Sequence, residues 1–282
     1  MNKIINLHFA SAERGPGRVV ENLARGLKIL GWDIYANADI RPDVYQACLQ
    51  VCEKIDLLDR RHPVGPNLFV LPSDWGDLCR KFDHYVVPCN WVANIYSKYD
   101  VMDHATIDVW PVGINVNIWK NPNINVGRKV LIYFKNREEY ELKNLIDMLD
   151  KEGTSYEVIR YGSYQENDLY QACLRCSHCI LLTGTESQGI AYMQILSMGL
   201  PCYVINKDKF DYFEELNSNP PSASSVPYFD DRCGVVRSSF NTQDFLEFSD
   251  KVRDYAPRSY IEENFTLDKC AQNYIDILKK YE

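Results

Sequence analysis

Short apolar runs alternate with stretches of helical periodicity along this chain. Four runs in its first third are typical of buried strands: KIINLHF (3–9), DIYANAD (33–39), NLFVLPS (67–73) and HYVVPC (84–89). Valine and leucine recur at three- and four-residue spacing over 18–31, which predicts a helix that stops at Gly31. Further helical patterns cover 43–57 and 76–82. Strands that alternate with helices indicate a parallel, doubly wound sheet.

The alternation restarts after a polar stretch, KNPNINVGR (120–128), which indicates a linker. Strand patterns follow at KVLIYFK (129–135), YEVIRYG (156–162), CILLT (179–183), PCYVIN (201–206) and CGVVRS (233–238), with helical patterns at 138–151, 166–177 and 187–198. We expect an α/β protein with two Rossmann-like, doubly wound parallel-sheet domains, 1–119 and 120–256, and a terminal helix over 257–282 that packs back toward the first domain. Ligands of open α/β sheets bind beyond the carboxyl ends of the strands, so we expect the domains to face each other across a ligand-binding cleft.

Composition and charge narrow the class of protein. The chain has 282 residues, of which 46% are apolar and 25% charged, as in soluble globular proteins. Its formal net charge of −8 argues against a surface that neutralises a nucleic-acid backbone. No apolar run reaches the about 18 residues of a membrane span, and residues 1–10 lack the features of a signal peptide. We expect a cytoplasmic protein with no nucleic-acid partner and no evident membrane association.

The ten cysteines lack the spacing of a disulfide framework, which favours reduced thiols. Cys173, Cys176 and Cys179 form C-x2-C-x2-C beside His178, a pattern that metal sites use. Cys173 and Cys176 fall on the apolar face of a predicted helix, whereas Cys179 begins a strand pattern, and no fourth ligand follows at metal-site spacing. We therefore expect these cysteines to pack in the core and to bind no metal.

The stretch ESQGIAYMQILSMGLP places a carboxylate, Glu186, directly after a predicted strand. We expect Glu186 to begin a helix, with the amides of Ser187, Gln188 and Gly189 turned toward a ligand. A carboxylate there can accept two sugar hydroxyls; the alternative is that it only offsets the helix dipole, worth about 0.3–1 kcal/mol. On an ideal helix Gln194, eight positions on, lies within about 80 degrees and roughly 12 Å of Glu186, so one ligand could contact both.

Gly15 and Gly17 flank a proline between the first predicted strand and the first predicted helix. Glycine would let a ligand approach the backbone closely, with the helix amides facing an anion or a sugar. The pattern matches neither G-x-G-x-x-G nor the P-loop, and an ordinary turn is the alternative.

The string ESQGIAYMQILSMGLPCYV resembles the E-x7-E signature of retaining glycosyltransferases with the GT-B fold, in particular the large family 4 group. Glu186, Gly189, Gly199 and Pro201 match this signature, and Gln194 stands in place of its second acid. Other segments resemble family landmarks in the same order: GPGRVVENLARGLKILGWDI (15–34), VVPCNWVANIY (86–96), VWPVGINVNIW (109–119) and the ending YIEENFTLDKCAQNYIDIL.

The resemblance implies roles for the residues that match or neighbour these motifs. Glu186 would contact hydroxyls of the donor sugar, the amides after it would hold the donor near its phosphates, and Gln194 would bind ribose without an acid's charge-assisted bond. Lys135, followed by Arg137 and Lys143, would neutralise the diphosphate as the sugar bond breaks. For Arg137 and Lys143 a solvated charged loop is the alternative.

The resemblance also implies contacts from other loops. Tyr161, Gly162 and Thr185 lie in loops where contacts to the donor are expected. Asp74, directly after a predicted strand, would be the catalytic group of the first domain, although the family's usual histidine is absent at this position. His8, at the end of the first strand, is the weaker candidate. The catalytic candidates are thus Glu186, Lys135 and Asp74.

The function that the resemblance implies is a metal-independent hexosyl- or pentosyltransferase. It would move a sugar, with retention of configuration, from a nucleotide-diphosphate sugar to a hydroxyl of a glycan, glycoprotein or lipid-linked saccharide. The donor would be a substrate, and no cofactor is expected. Two other classes remain open: a noncatalytic GT-B module that binds nucleotide or glycan, for which Gln194 and the compact first domain are the reasons, and a sugar-nucleotide epimerase, which would need a second acid across the ligand.

Overall fold

The computed structural model describes residues 3–10, 14–41, 43–68, 71–121, 129–210 and 219–281. It divides into two compact units, one formed by Met1–Asn115 with Asn264–Glu282 and the other by Val116–Glu263. Most of the stretch that we interpret as a linker, 122–128, lies outside the described residues.

The described part of the chain alternates strands and helices. Its strands are β1 (Ile4–His8), β2 (Asp33–Ala36), β3 (Tyr45–Gln50), β4 (Val64–Asn67), β5 (His84–Val87), β6 (Thr106–Val109), β7 (Val130–Lys135), β8 (Tyr156–Arg160), β9 (His178–Thr183), β10 (Cys202–Ile205) and β11 (Gly234–Arg237). Its α-helices are α1 (Arg14–Ile29), α2 (Asn90–Tyr96), α3 (Glu139–Lys151), α4 (Glu166–Arg175), α5 (Ile190–Ser197), α6 (Thr242–Asp250), α7 (Pro257–Asn264) and α8 (Leu267–Lys280). Short 3₁₀ turns at Ile55–Leu57, Pro72–Arg80, Asp100–Met102 and Val252–Asp254 complete the elements.

Each unit is built around one parallel sheet. The first unit has six strands in the order β2-β1-β3-β4-β5-β6, and the second has five in the order β11-β10-β9-β7-β8. All recorded strand pairs are parallel. Both faces of such a sheet are covered, which is why β9 is buried at all six positions and its four central residues, 179–182, are all apolar.

The predicted helix over 43–57 is wrong. The structure has β3 at Tyr45–Gln50, in the middle of the first sheet, and a 3₁₀ turn at Ile55–Leu57. All six residues of β3 are buried. A strand covered on both faces shows no alternation of polar and apolar positions, so its pattern resembles that of a buried helix.

Two neighbouring predictions also differ from the structure. The run NLFVLPS was interpreted as a strand, whereas β4 ends at Asn67 and a 3₁₀ turn begins at Pro72; residues 69 and 70 lie outside the described part. The helical pattern over 76–82 belongs to the same 3₁₀ turn, which is kinked at Gly76 because that residue has φ 53° and ψ −131°.

Helix α8 packs on α1 in the first unit at one very close contact. A Cβ atom on Gly26 would lie 2.2 Å from the carbonyl oxygen of Leu267 and 2.7 Å from the Cβ of Ala271, so only glycine fits there. Trp110 Nε1 donates to the Cys270 carbonyl at 2.7 Å, and the Tyr274 hydroxyl donates to the Gly65 carbonyl at 3.1 Å. These contacts attach α8 to the sheet of the first unit.

The second unit has a hydrophobic core in which helices α3 and α6 cover strands β7, β9 and β10. Its buried members are Val130, Ile132, Phe134, Leu142, Leu145, Leu149, Ile180, Leu182, Tyr203, Ile205, Phe245 and Phe248. Burying this many large apolar side chains fixes the strands of the sheet, and with them the loops at its carboxyl edge.

Candidate functional site

The candidate site lies at the carboxyl edge of the second sheet, around the end of its central strands. Lys135 is the last residue of β7, which runs between β8 and β9. The amide of Gly184 donates to the Lys135 carbonyl at 2.8 Å, and the amide of Tyr161 donates to the Phe134 carbonyl at 2.9 Å. The loops that follow β8 and β9 therefore begin on either side of Lys135.

Lys135 and Glu186 form an ion pair at this edge. The lysine Nζ lies 2.8 Å from Oε1 and 2.9 Å from Oε2 of Glu186, so it bridges the two carboxylate oxygens. Glu186 is only 8% exposed. Burial raises the pKa of Glu186, and the charge and hydrogen bond of Lys135 act in the opposite direction. The pair brings a buried carboxylate and a cation together at the carboxyl edge of the sheet.

Tyr161 joins this pair from the loop after β8. Its ring is 50% exposed, and Lys135 Nζ lies 4.4 Å from the ring centroid, which is the geometry of a cation–π contact. Gly162 follows with φ +83° and open space around it, in a turn closed by the Ser163 amide and the Arg160 carbonyl at 3.0 Å. The exposed face of Tyr161 is thus available to a planar or apolar group of a ligand.

The helix after Glu186 begins later than the sequence predicts. We expected helix over 187–198, whereas α5 starts at Ile190 with Gly189 as its N-cap in the left-handed region, φ 67°. A Cβ on Gly189 would lie 1.9 Å from a ring carbon of Tyr192, so this position needs glycine for its conformation and for space. The spacing that we derived for Glu186 and Gln194 from an ideal helix is therefore wrong.

The turn that carries Glu186 is held by the loop after β10. The Glu186 amide donates to the Ser224 carbonyl at 2.9 Å, and Ser225 Oγ donates to the Thr183 carbonyl at 3.1 Å. Asn206 Oδ1 accepts from the Ser225 amide at 2.9 Å. In the same turn Thr185 and Ser187 are half-buried, whereas Gln188 is buried. Hydrogen bonds therefore fix the backbone of this turn from the end of β9 to Glu186.

Arg137 makes contacts that join the ends of two strands. Its Nε lies 3.0 Å from both carboxylate oxygens of Glu141, and its NH1 donates to the carbonyls of Thr183 at 3.3 Å and Ile205 at 3.2 Å. These bonds use most of its five N–H donors. Its side chain, 11% exposed, supports the ends of β9 and β10. Lys143 lies exposed on α3. Their roles toward a donor remain predictions.

Gln194 makes a contact that we did not predict. Its Nε2 donates to Oε1 of Glu166 at 2.9 Å, and its side chain is 7% exposed. Glu166 is the first residue of α4, which follows β8, and it is half-buried. The sequence did contain a signal, since an acid at the first position of a helix after a strand lies at the edge where ligands bind.

Two tyrosine hydroxyls of the second unit contact each other near Glu186. Tyr133 Oη and Tyr164 Oη are 3.3 Å apart. Burial raises the pKa of both phenols, and the charge of Glu186 contributes to each increase. Both phenols therefore stay protonated at neutral pH and can donate hydrogen bonds next to the carboxylate.

The remaining candidates belong to the first unit. Gly15 and Gly17 lie in the first turn of α1, not in a loop before it. Asp74 Oδ2 accepts from the Leu71 amide at 3.3 Å and so caps the 3₁₀ turn in which it lies. The ring of His8 is fully buried with Nε2 2.8 Å from Gln46 Oε1, and burial lowers its pKa.

The cysteines of the C-x2-C-x2-C pattern are buried in the second unit. Burial raises the pKa of Cys173, Cys176 and Cys179, so all three are protonated thiols at neutral pH. Within the described ranges, no three His, Cys, Asp or Glu side chains are grouped as metal ligands. That this protein binds no metal remains a prediction.

Comparison with solved structures finds similar folds. The lipopolysaccharide outer core galactosyltransferase WaaB, in its apo form, matches with a TM-score of 0.58 and 12% identity over 98% of this chain and 99% of that one. The chain has the GT-B fold. The α/β class predicted from the sequence, with two Rossmann-like parallel-sheet domains, is thereby confirmed.

A second match covers less of its counterpart. A chain from the structure of accessory secretory proteins 1, 2 and 3 of Streptococcus pneumoniae has a TM-score of 0.50 and 12% identity over 86% of this chain and 54% of that one. No known protein family and no curated protein sequence matches significantly. Of the helices described above, none is both long enough and apolar enough to cross a bilayer.

Proposed function

We propose that this protein is a retaining glycosyltransferase that uses a nucleotide-diphosphate sugar as donor and a hydroxyl of a carbohydrate or glycoconjugate as acceptor. The observation that carries the proposal is the buried ion pair of Lys135 and Glu186 at the carboxyl edge of the second sheet. Glu186 would accept hydrogen bonds from hydroxyls of the donor sugar, and Lys135 would bind the diphosphate.

A buried ion pair at this place is better explained by ligand binding than by stability. Desolvation of two charges costs several kcal/mol, and apolar replacements of buried pairs are often as stable or more so. The pair lies where open α/β sheets bind ligands, and Glu186 has a raised pKa, as ionisable groups of functional sites often have. Both features support a site that exchanges its internal ion pair for contacts with a ligand.

The chemistry of transfer needs positive charge at the leaving group. As the bond from the sugar to the diphosphate breaks, negative charge grows on the diphosphate oxygens, and a fixed cation there lowers the barrier. Lys135 can supply this charge, so the proposal includes no metal ion and no cofactor. Retention of configuration rests on the resemblance of the segment from Glu186 to Pro201 to the retaining signature.

The test is release of nucleoside diphosphate from a panel of UDP-, GDP- and ADP-sugars, with and without a chelator. We expect turnover of one donor class, unaffected by chelator and lowered about 100-fold or more in Glu186→Gln, because the variant loses a charged contact to the reacting sugar. Turnover in Glu186→Gln equal to that of the parent protein would refute the site.

The chain offers a matched control at the opposite edge of the same sheet. Lys129 precedes β7 and lies 2.9 Å from Glu157 of β8, a second and half-buried lysine–glutamate pair in this unit. Glu157→Gln makes the same chemical change as Glu186→Gln, and we expect it to leave donor turnover within about twofold of the parent value. Thermal unfolding of both variants checks that they are folded.

Gln194 stands where the retaining signature has its second acid, and this favours one other function, a noncatalytic GT-B module that binds nucleotide or glycan. Calorimetric titration separates the two proposals. A noncatalytic module would bind a nucleoside diphosphate but release none from any donor over hours, with or without added glycan acceptors.

A further inference from the structure

We propose that Glu166 supplies the carboxylate that binds the ribose diol of the donor nucleotide, and that Gln194 holds Glu166 in position. This inference rests on the proposed function, because it concerns the nucleotide of the same donor. It assigns ribose binding to a different residue and a different helix from those indicated by the sequence.

The hydrogen bond between the two side chains sets their roles. Gln194 Nε2 donates to Glu166 Oε1 at 2.9 Å, and the burial of Gln194 leaves its side chain little freedom to turn toward a ligand. Helix α5 is buried on nearly every side, and the hydroxyls of Ser197 and Tyr192 likewise donate to backbone carbonyls, of Trp119 at 2.7 Å and of Tyr228 at 3.3 Å. Gln194 is therefore a positioning residue.

Glu166 is placed where a ligand can reach it. It begins α4 directly after the loop of Tyr161, and β8 is the neighbour of β7, which ends at Lys135. Its side chain is half-buried, so part of it faces solvent at the carboxyl edge of the sheet. This is the edge at which doubly wound sheets bind nucleotides.

A series of contacts joins Glu166 to Glu186. Tyr164, two residues before Glu166, has its hydroxyl 3.3 Å from that of Tyr133, which lies on β7 two residues before Lys135. Lys135 in turn pairs with Glu186. Burial raises the pKa of Tyr164, and the charges of both acids raise it further. A ligand whose sugar contacts Glu186 and whose diphosphate contacts Lys135 can therefore reach Glu166.

The chemistry of a vicinal diol favours a carboxylate over an amide. A carboxylate accepts from both hydroxyls with charge-assisted hydrogen bonds, which are roughly twice as strong as neutral ones. An amide oxygen offers one neutral acceptor, and the donor side of the Gln194 amide already binds Glu166. The ionised side chain of Glu166 is thus the better partner for the two ribose hydroxyls.

The test compares nucleoside diphosphates with and without the diol. UDP, GDP and ADP are titrated calorimetrically into the full-length protein, and the tightest binder is compared with its 2′,3′-dideoxy counterpart. We expect Glu166→Gln to weaken binding of the ribonucleotide about tenfold and to leave the dideoxynucleotide unchanged, because only the former presents hydroxyls to the carboxylate. Gln194→Met should give the same selective loss.

Two further variants complete the design. Glu166→Asp keeps the charge, so it should retain more of the preference for ribose than Glu166→Gln. Glu247→Gln is the matched control, because Glu247 also accepts from a glutamine amide, Gln243 Nε2 at 3.2 Å, but on the exposed surface of α6. We expect the control to leave both affinities unchanged.

The outcomes separate this inference from the proposed function. If no nucleoside diphosphate binds the parent protein, both fail. If the ribonucleotide binds and Glu166→Gln changes neither affinity, or lowers both equally, the assignment of Glu166 is wrong while the proposed function stands. The assignment would also be overturned if Glu166→Gln retained more of the preference for ribose than Glu166→Asp.

Discussion

Replacing Lys135 by methionine tests whether the buried, ionised carboxylate of Glu186 is stabilised by the charge of Lys135. The side chains of Lys135 and Glu186 are 19% and 10% exposed, so removing the lysine leaves a largely desolvated negative charge without its partner cation. Breaking buried pairs in this way costs about 3–5 kcal/mol. Because some exposure remains, we expect the free energy of unfolding to fall by about 3 kcal/mol at neutral pH.

Protonation of Glu186 limits this loss and makes it depend on pH. Neutralising a carboxyl group of ordinary pKa 4.5 costs about 1.4 kcal/mol per pH unit above that value, hence about 4 kcal/mol at about pH 7.5 and under about 1 kcal/mol at about pH 5. Burial already raises this pKa in the parent protein, and loss of Lys135 raises it further. The folded variant then keeps a proton that the unfolded chain has lost, so its stability falls as pH rises.

Urea unfolding of both proteins between about pH 5 and pH 7.5 measures this effect. The difference in unfolding free energy should grow from under about 1 kcal/mol to about 3 kcal/mol. The control, Lys129→Met, leaves Glu157 paired with Arg175, which with Lys129 lowers the pKa of Glu157 to about 2. Its cost should stay below about 1 kcal/mol and should not grow over this range. A difference for Lys135→Met that is independent of pH would refute the reasoning.

Three further experiments test the packing of the second unit. Gly189→Ala should lower stability by about 2 kcal/mol or more in thermal unfolding, since φ is 67° and the new Cβ would lie 1.9 Å from the Tyr192 ring. Gly162→Ala, at a position with open space around it, should cost only about 1 kcal/mol in the same assay. Arg137→Lys should lower the free energy of unfolding by about 2 kcal/mol in urea, because lysine cannot reproduce the contacts to Glu141 and to the carbonyls of Thr183 and Ile205. A loss equal to that of Arg160→Lys on the surface would contradict this. Burial lowers the pKa of His178 to about 4, so its NMR titration should have a midpoint near that value. Between pH 6.5 and 4 only the unfolded chain gains this proton, so about 3 kcal/mol of stability should be lost over that range as the pH falls. An NMR midpoint near 6.5 would contradict this prediction.

The alternation of strands and helices could be predicted where apolar residues form an unbroken run or recur at helical spacing. Helix α3 shows this well, because its buried leucines recur between exposed charged residues, and its observed bounds, Glu139–Lys151, nearly equal the predicted 138–151. Strand β3 could not be recognised, because the buried glutamines Gln46 and Gln50 interrupt its apolar run at a four-residue spacing that is also typical of a helix.

Both residues of the central pair were named from the sequence, Glu186 from its place after a predicted strand and Lys135 from the family resemblance, but the ion pair between them was not predicted. Lys135 ends one predicted strand and Glu186 follows another, and the carboxyl ends of neighbouring parallel strands lie at one edge. The contact of Gln194 with Glu166 did not follow, because it joins side chains of two helices whose separation depends on where α5 begins. That start depends on the left-handed conformation of Gly189, which no periodicity shows.

The most direct test is a crystal structure of the protein soaked with the nucleoside diphosphate that raises its melting temperature most. The account predicts that the diphosphate lies within hydrogen-bond distance of Lys135 Nζ, at the carboxyl edge of the second sheet, with Lys135 drawn from Glu186 toward the phosphates. A nucleotide bound elsewhere, with the ion pair of Lys135 and Glu186 unchanged, would contradict the central claim.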